Sequence, residues 1–165
     1  MTPEELLSLD VSDVLIVLGI AASPIAELRV AIPVAIIQYH FCWYHALPLA
    51  IIGNLLLVPV ILLFFDAISR YLSRVRFFGR FLGWLFEHTR KRGRIIERYE
   101  RIGLALFVAI PLPFTGAWTG SLAAVLFGLK FKQAMLSISI GVVIAGIIVT
   151  CATVLGWTIF GLYEA

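Results

Sequence analysis

Two long uncharged apolar runs are the main feature in the pattern of hydrophobic and polar positions. Residues 46–65 contain no charged side chain, and residues 138–160 lie within an uncharged stretch from 133 to 163. A helix needs about 20 predominantly apolar residues to cross the hydrocarbon core of a bilayer. Each run therefore predicts a transmembrane helix.

Residues 101–128 form a third apolar segment, which is interrupted near its centre by Pro111, Pro113 and Gly116. Proline removes a backbone donor and clashes with the preceding turn, so two prolines one residue apart should break a helix. Irregular backbone at membrane depth persists only where protein or cavity water satisfies it. The segment predicts a re-entrant hairpin that lines a polar cavity; the alternative is a spanning helix with a proline kink.

Small residues recur at every fourth position in the second half of this segment, and a helix can approach such a stripe closely. The stripe consists of Gly116, Gly120, Ala124 and Gly128. It predicts either a homodimer contact or close packing within one chain. Thr115 and Thr119 lie beside the stripe, one helical turn apart, and their hydroxyls are candidates for the wall of the cavity.

Residues 23–38 combine the charges of Glu27 and Arg29 with a proline, Pro33, inside apolar sequence. Two arms of about eight residues would each reach only ~12 Å, so a first re-entrant hairpin broken at Pro33 fits better than a span. Charges inside membrane segments are costly and mark functional sites. Glu27 is expected to titrate, and Arg29 to bind an anionic headgroup through its guanidinium. Alternatively, both side chains extend to the membrane interface.

The rest of the chain fits around these segments. The apolar run of residues 14–22 is too short to span and predicts a short N-terminal helix. Asn54, in the first transmembrane run, could hydrogen-bond across a helix interface or point into a cavity. One membrane domain is expected, divided into residues 1–22 (short helix), 23–65 (first hairpin and transmembrane helix), 66–101 (basic amphipathic segment) and 102–163 (second hairpin and transmembrane helix).

Composition and charge place these elements in a membrane. The chain is 61% hydrophobic and 14% charged, whereas soluble domains are about 45–50% apolar. Of its 13 Lys and Arg residues, ten lie between residues 70 and 101. This basic block predicts cytoplasmic amphipathic helices by the positive-inside rule and does not indicate nucleic-acid binding. Cys42 and Cys151 form no metal motif, no catalytic arrangement is present in the membrane segments, and neither a cofactor nor an enzymatic activity is expected.

The tetrapeptide Val-Ala-Ile-Pro occurs at residues 30–33 and again at 108–111, each time in a Pro-broken segment followed by an apolar run. If the second hairpin returns to the cytoplasm, Lys130 and Lys132 also lie inside, and the two hairpins enter from opposite faces. The predicted fold is an all-α integral membrane protein. It contains an inverted repeat of two re-entrant hairpins, each followed by a transmembrane helix, an arrangement that secondary transporters use.

The segments SPIAELRVAIP and RIGLALFVAIPLPFTGAWTGSLAA resemble the small multidrug export family of bacteria and archaea. More distantly, the chain is similar to the DedA (VTT-domain) proteins, whose fold has two opposed re-entrant hairpins. In the DedA proteins an arginine lies near the second hairpin, and Arg101 is the candidate here. The motif residues that the resemblance carries over are Glu27, Arg29, Pro33, Pro111, Pro113, Thr115, Gly116 and Gly120.

The resemblance implies a multi-pass protein of a prokaryotic cell membrane. It points to a secondary transporter or lipid flippase, proton-linked, that moves a small amphiphile or a lipid phosphate such as polyprenyl-phosphate or phospholipid. The alternatives are an exporter of amphiphilic cations and a scaffold that transports nothing. Membrane lipids and a second copy of the chain are the expected partners.

Overall fold

The computed structural model describes residues 10–72, 94–112 and 115–159, and all regular structure in these ranges is helical. The all-α prediction is therefore confirmed for the part of the chain described. The helices are α1 (Val11–Ala22), α2 (Glu27–Pro33), which a π-helical turn (Val34–Gln38) continues, α3 (Trp43–Leu72), α4 (Arg94–Ala109), α5 (Ala117–Leu126) and α6 (Phe131–Ile159).

The helices α3 and α6 contain the two predicted transmembrane runs. The stretches Trp43–Phe64 and Phe131–Gly156 are long and apolar enough to cross a bilayer. Only 33% of the most apolar window of each is buried, whereas the core helix of a soluble protein would be mostly buried. Apolar side chains that point outward along a whole helix are suited to contact with lipid.

The chain divides into two compact units. Unit 1 comprises residues 1–56 and 143–165, and unit 2 comprises residues 57–142. The first part of α3 and the last part of α6 thus belong to unit 1, together with α1 and α2. Unit 2 contains α4, α5 and the remaining parts of α3 and α6.

Glycines mark the closest helix contacts within unit 1. A Cβ atom at Gly53 of α3 would lie 2.8 Å from the Ala21 Cβ of α1 and 3.0 Å from the Leu18 carbonyl oxygen. A Cβ at Gly146 of α6 would lie 2.9 Å from Leu47 of α3. Real Cβ contacts are rarely this short. At Gly53 and Gly146, therefore, a side chain larger than the glycine hydrogen would require neighbouring atoms of α1 or α3 to move.

The described part of the predicted N-terminal segment forms α1, which begins after Asp10 and ends at Ala22, whereas residues 1–9 lie outside the described residues. The Asp10 side chain accepts a hydrogen bond from the Ser12 amide at 3.3 Å and so caps the helix. Ser23 has extended backbone (φ −70°, ψ 145°). A residue that precedes proline is disfavoured in helical geometry, so Pro24 explains why the helix stops.

The predicted break at Pro33 is wrong. Pro33 lies at the end of α2, and the chain continues helically through the π-helical turn Val34–Gln38. Pro33 itself keeps helical backbone (φ −57°, ψ −43°). The chain reverses between α1 and α2 instead, at residues 23–26.

The predicted break in the second segment is confirmed. The helix α4 ends at Ala109, shortly before Pro111, and α5 begins after Gly116. However, α4 starts at Arg94 and runs without interruption across the boundary predicted between residues 101 and 102. The other proline of this break, Pro113, lies outside the described residues, as do residues 73–93 of the basic block.

Gly128 does not belong to the small-residue stripe of α5, contrary to prediction. Its φ of 68° is left-handed, and its amide donates to the Val125 carbonyl at 3.0 Å. The Leu129 amide donates to the Ala124 carbonyl, also at 3.0 Å. Glycine tolerates this conformation without steric cost and closes the C-terminus of a helix.

Candidate functional site

Glu27 is a buried acid on unusual backbone. Its side chain is 6% exposed, and its φ is 50°, in the left-handed region that non-glycine residues seldom adopt. Such a conformation costs roughly 1–2 kcal/mol for an L-residue. The residue is buried within unit 1, and its place relative to the membrane interface stays a prediction.

Ser23 builds the turn that holds Glu27 in place. Its carbonyl accepts a hydrogen bond from the Glu27 amide at 3.2 Å. Its hydroxyl accepts one from the Ala26 amide at 3.1 Å. The serine therefore satisfies backbone groups that the end of α1 and the start of α2 would otherwise leave without partners.

Arg29 lies two residues after Glu27 and is half-buried. On a regular helix, residues two apart do not face each other, and the sequence predicts that the two side chains diverge. Burial and the nearby Glu27 charge both act on the Arg29 guanidinium, and burial acts more strongly. The divergence of the two side chains stays a prediction.

Asn54 is buried in the middle of the first span, with 2% of its surface exposed. Neither its side-chain nitrogen nor its side-chain oxygen has a hydrogen-bond partner among the described residues. The predicted hydrogen bond across a helix interface is therefore absent from the described part of the chain, and the other alternative, an amide that points into a cavity, stays a prediction.

The hydroxyls of Thr115 and Thr119 serve the backbone of the break between α4 and α5. Thr115 Oγ1 lies 2.7 Å from the Ile110 carbonyl oxygen and 3.2 Å from the Leu112 amide nitrogen. Thr119 Oγ1 accepts a hydrogen bond from the Gly116 amide at 2.9 Å. These hydroxyls satisfy groups that a broken helix leaves open. Their predicted role in a substrate pathway has no support from these bonds.

Gly120 is a packing residue of unit 2. A Cβ atom there would lie 2.5 Å from Val108 Cγ2 of α4. The predicted close approach along the stripe is therefore made inside one chain, as the internal-packing alternative proposed. Gly116 is buried at the start of α5, and Arg101 is half-exposed on α4. The homodimer stays a prediction.

The candidate residues fall into two groups along the chain. Four belong to unit 1, namely Glu27, Arg29, Pro33 and Asn54. The other seven belong to unit 2, namely Arg101, Pro111, Pro113, Thr115, Gly116, Thr119 and Gly120.

The two Val-Ala-Ile-Pro copies differ in backbone and in burial. The first copy is wholly helical, whereas the second leaves its helix after Ala109. In the first copy Val30 is exposed and Ile32 is buried; in the second, Val108 is buried and Ile110 is exposed. Their identical sequences therefore present different faces to their surroundings, and the inverted repeat stays a prediction.

Thr150 is a buried polar residue that the sequence interpretation missed. It lies on α6, one turn after Gly146, and its hydroxyl has no hydrogen-bond partner although the residue is buried. His45 Nε2 is also buried without a partner. A polar residue one turn from a glycine on an apolar helix was the available signal for Thr150, since small residues mark the packed face.

Comparison with known proteins identifies a family that this chain matches. A model of the family described as "Putative small multi-drug export protein" matches residues 27–148, which is most of the 165-residue chain. The chain belongs to this export family. The matched region begins at the buried Glu27 and contains both proline motifs, so the motif residues that the resemblance carries over, from Glu27 to Gly120, lie inside it.

Family membership and the two apolar spans together indicate a membrane protein. Comparisons with curated proteins and with solved structures gave no match. The distant similarity of this export-family member to the DedA proteins therefore stays a hypothesis that rests on the sequence motifs alone.

Proposed function

We propose that this protein is a proton-linked secondary transporter of a prokaryotic cell membrane that exports small amphiphilic molecules. One observation carries the proposal: Glu27, an acid in apolar sequence, is 6% exposed on left-handed backbone. Ionisable side chains inside membrane segments are costly and mark ion or substrate pathways. The export family to which the chain belongs supports the same direction of transport.

In this proposal Glu27 carries the coupling proton. A carboxyl group removed from water favours its protonated form unless a nearby cation compensates the charge. Arg29 supplies part of that compensation, and a cationic substrate supplies the rest. One carboxyl group cannot hold a proton and a cation at the same time. Entry of a proton thus releases the substrate, which is the exchange required for export driven by a proton gradient.

The helical hairpins supply the route. The ten residues of α5 span about 15 Å, half of a hydrocarbon core of about 30 Å. The 12 residues of α1 span about 18 Å. A helix of this length reaches about the middle of a bilayer, and a second helix can then lead the chain back to the same side, as in a re-entrant hairpin. We propose that α1–α2 and α4–α5 are such hairpins and that they form an inverted repeat.

Transport by purified protein in liposomes tests this function. Glu27→Gln removes the titrating group and keeps the side-chain size, so substrate efflux driven by a pH gradient should fall to the level of protein-free vesicles. Glu27→Asp should retain part of the activity. Asp13→Asn is the matched control, since Asp13 is a half-exposed acid in the first turn of α1, and it should transport like wild type. Unchanged coupling in Glu27→Gln would contradict the proposed role.

Lipid flipping is the second candidate, and Arg29 is the observation that favours it. A half-buried guanidinium can hold a phosphate headgroup through paired hydrogen bonds. The same liposomes distinguish the two activities. Redistribution of labelled phospholipid or polyprenyl-phosphate between leaflets supports a flippase, whereas efflux of amphiphilic cations supports an exporter. A wild-type protein with neither activity would favour a scaffold.

A further inference from the structure

Asn54 is a buried polar residue whose hydrogen-bonding capacity the described part of the chain does not use. Both polar atoms of its amide are buried, and neither has a partner among the residues that the structure describes. An amide can donate two hydrogen bonds and accept two. Leaving such a group unsatisfied in an apolar helix is costly, and a leucine of similar size would avoid the cost. The flanking positions, Gly53 and Leu55, offer no polar group that shares this role.

The position of Asn54 connects it to the Glu27 turn. Its neighbour Gly53 packs against Leu18 and Ala21 in the last turn of α1. That helix ends one residue after Ala21, and the turn that follows holds the Glu27 amide on the Ser23 carbonyl. The segment of α3 that carries Asn54 therefore lies against the same end of unit 1 that carries Glu27.

The buried hydroxyl of Ser121, in unit 2, behaves differently. Ser121 is fully buried in α5, and its hydroxyl donates to the Ala117 carbonyl at 2.6 Å. Among the described residues, the buried side-chain atoms without a partner belong to His45, Asn54 and Thr150, all in unit 1. Unmet hydrogen-bonding capacity is thus concentrated in the unit that also holds the buried acid.

We propose that the Asn54 amide binds a hydrogen-bonding group of the transported molecule. This inference rests on the proposed exporter function and narrows its substrate class. The preferred substrates are amphiphilic cations that carry an N–H or hydroxyl group in addition to their charge. Glu27 balances the charge, and Asn54 distinguishes cations with such a group from cations without one.

Two cationic probes test the inference. Ethidium carries amino groups, whereas tetraphenylphosphonium is a cation of similar character with no hydrogen-bonding group. Binding of each to the purified full-length protein is measured by equilibrium dialysis. Asn54→Leu should weaken ethidium binding about tenfold, the effect of one lost hydrogen bond of ordinary strength, and leave tetraphenylphosphonium binding unchanged. The same variant should unfold at a temperature roughly 2–4 °C higher, because the unmet polar group is gone.

Two further variants complete the experiment. Ser121→Ala removes a buried hydroxyl that already has a partner. It should leave the preference between the probes unchanged, and it should not raise the unfolding temperature. Asn54→Ser keeps a donor and an acceptor in a smaller side chain and should weaken ethidium binding less than Asn54→Leu. If Asn54→Leu does not fold, a probe preference in Asn54→Ser equal to that of wild type would overturn the inference.

The outcomes separate this inference from the proposed function. If wild type binds both probes and Asn54→Leu binds them with unchanged affinities, Asn54 is not a substrate contact, and export itself is unaffected. Equal weakening for both probes would also overturn the inference, because it indicates a general change of the site. If wild type binds neither cation, cation export fails and the inference fails with it.

Discussion

At the scale of single residues, the Thr115 hydroxyl supports the break between α4 and α5 together with the Thr119 hydroxyl. Thr115 Oγ1 lies within hydrogen-bond distance of the carbonyl oxygens of Ile110 and Leu112 and of the Leu112 amide nitrogen. These backbone groups have left the helix and need partners, since lipid offers none. A side chain that both donates and accepts is therefore suited to position 115.

Replacing Thr115 with valine tests this role. Valine keeps the shape and removes the hydroxyl, so the free energy of unfolding should fall by about 1 kcal/mol. Thr115→Ser keeps the hydroxyl and should lose less. Thermal unfolding in mild detergent measures both. A valine variant as stable as wild type would show that the break is satisfied in another way.

At the scale of helices, the helices of unit 2 pack closely at glycines, where a side chain would overlap the neighbouring helix. Besides Gly120, Gly141 of α6 approaches α4 closely: a Cβ atom there would lie 2.7 Å from the Ala105 carbonyl oxygen and 2.7 Å from Val108 Cβ. A backbone atom cannot move aside as a flexible side chain can. The position of α4 relative to α5 and α6 is therefore fixed by glycines on two different helices.

Gly120→Leu should prevent this packing, because a bulky side chain cannot share the space of Val108. We expect little folded protein after extraction, and any folded fraction should unfold at a much lower temperature. Gly103→Leu is the matched control, since a Cβ at Gly103 of α4 meets nothing within 4 Å. Size-exclusion chromatography and thermal unfolding compare the two. If the Gly120→Leu protein is instead folded but monomeric, the small-residue stripe forms a contact between subunits.

At the scale of the whole molecule, the distribution of charge and apolar surface predicts how the chain lies in a membrane. The two spans expose most of their apolar surface, and ten of 13 Lys and Arg residues are concentrated in one block. By the positive-inside rule that block faces the cytoplasm. If α4 and α5 form a re-entrant hairpin, the exposed Lys130 returns to the same side.

Cysteine labelling tests this topology. Cys42 and Cys151 are free and exposed, so both are first replaced by serine. Lys130→Cys, and separately Arg92→Cys in the basic block, are then treated with a membrane-impermeant maleimide in spheroplasts and in inverted vesicles. We expect both positions to react only from the cytoplasmic side. Reaction of Lys130→Cys from outside would show that the segment spans the membrane.

The sequence by itself determined the elements that depend on local composition and on transfer from water to lipid. The two spans follow from runs without charge, and the break before α5 follows from Pro111, whose missing amide and ring affect only nearby residues. The family also follows from the sequence, because its motifs are contiguous residues. Ser23 before a proline was a readable helix end, yet the prediction placed the reversal at Pro33 instead.

Only the tertiary structure decided how the polar residues are used. Pro33 keeps helical backbone, and a π-helical turn follows it. The burial of Glu27 and the unmet amide of Asn54 depend on how helices pack around these residues, whereas the left-handed backbone of Glu27 belongs to the local turn at Ser23. The spacing of residues along one helix does not predict such features, because other parts of the chain pack against a buried polar group and form its surroundings.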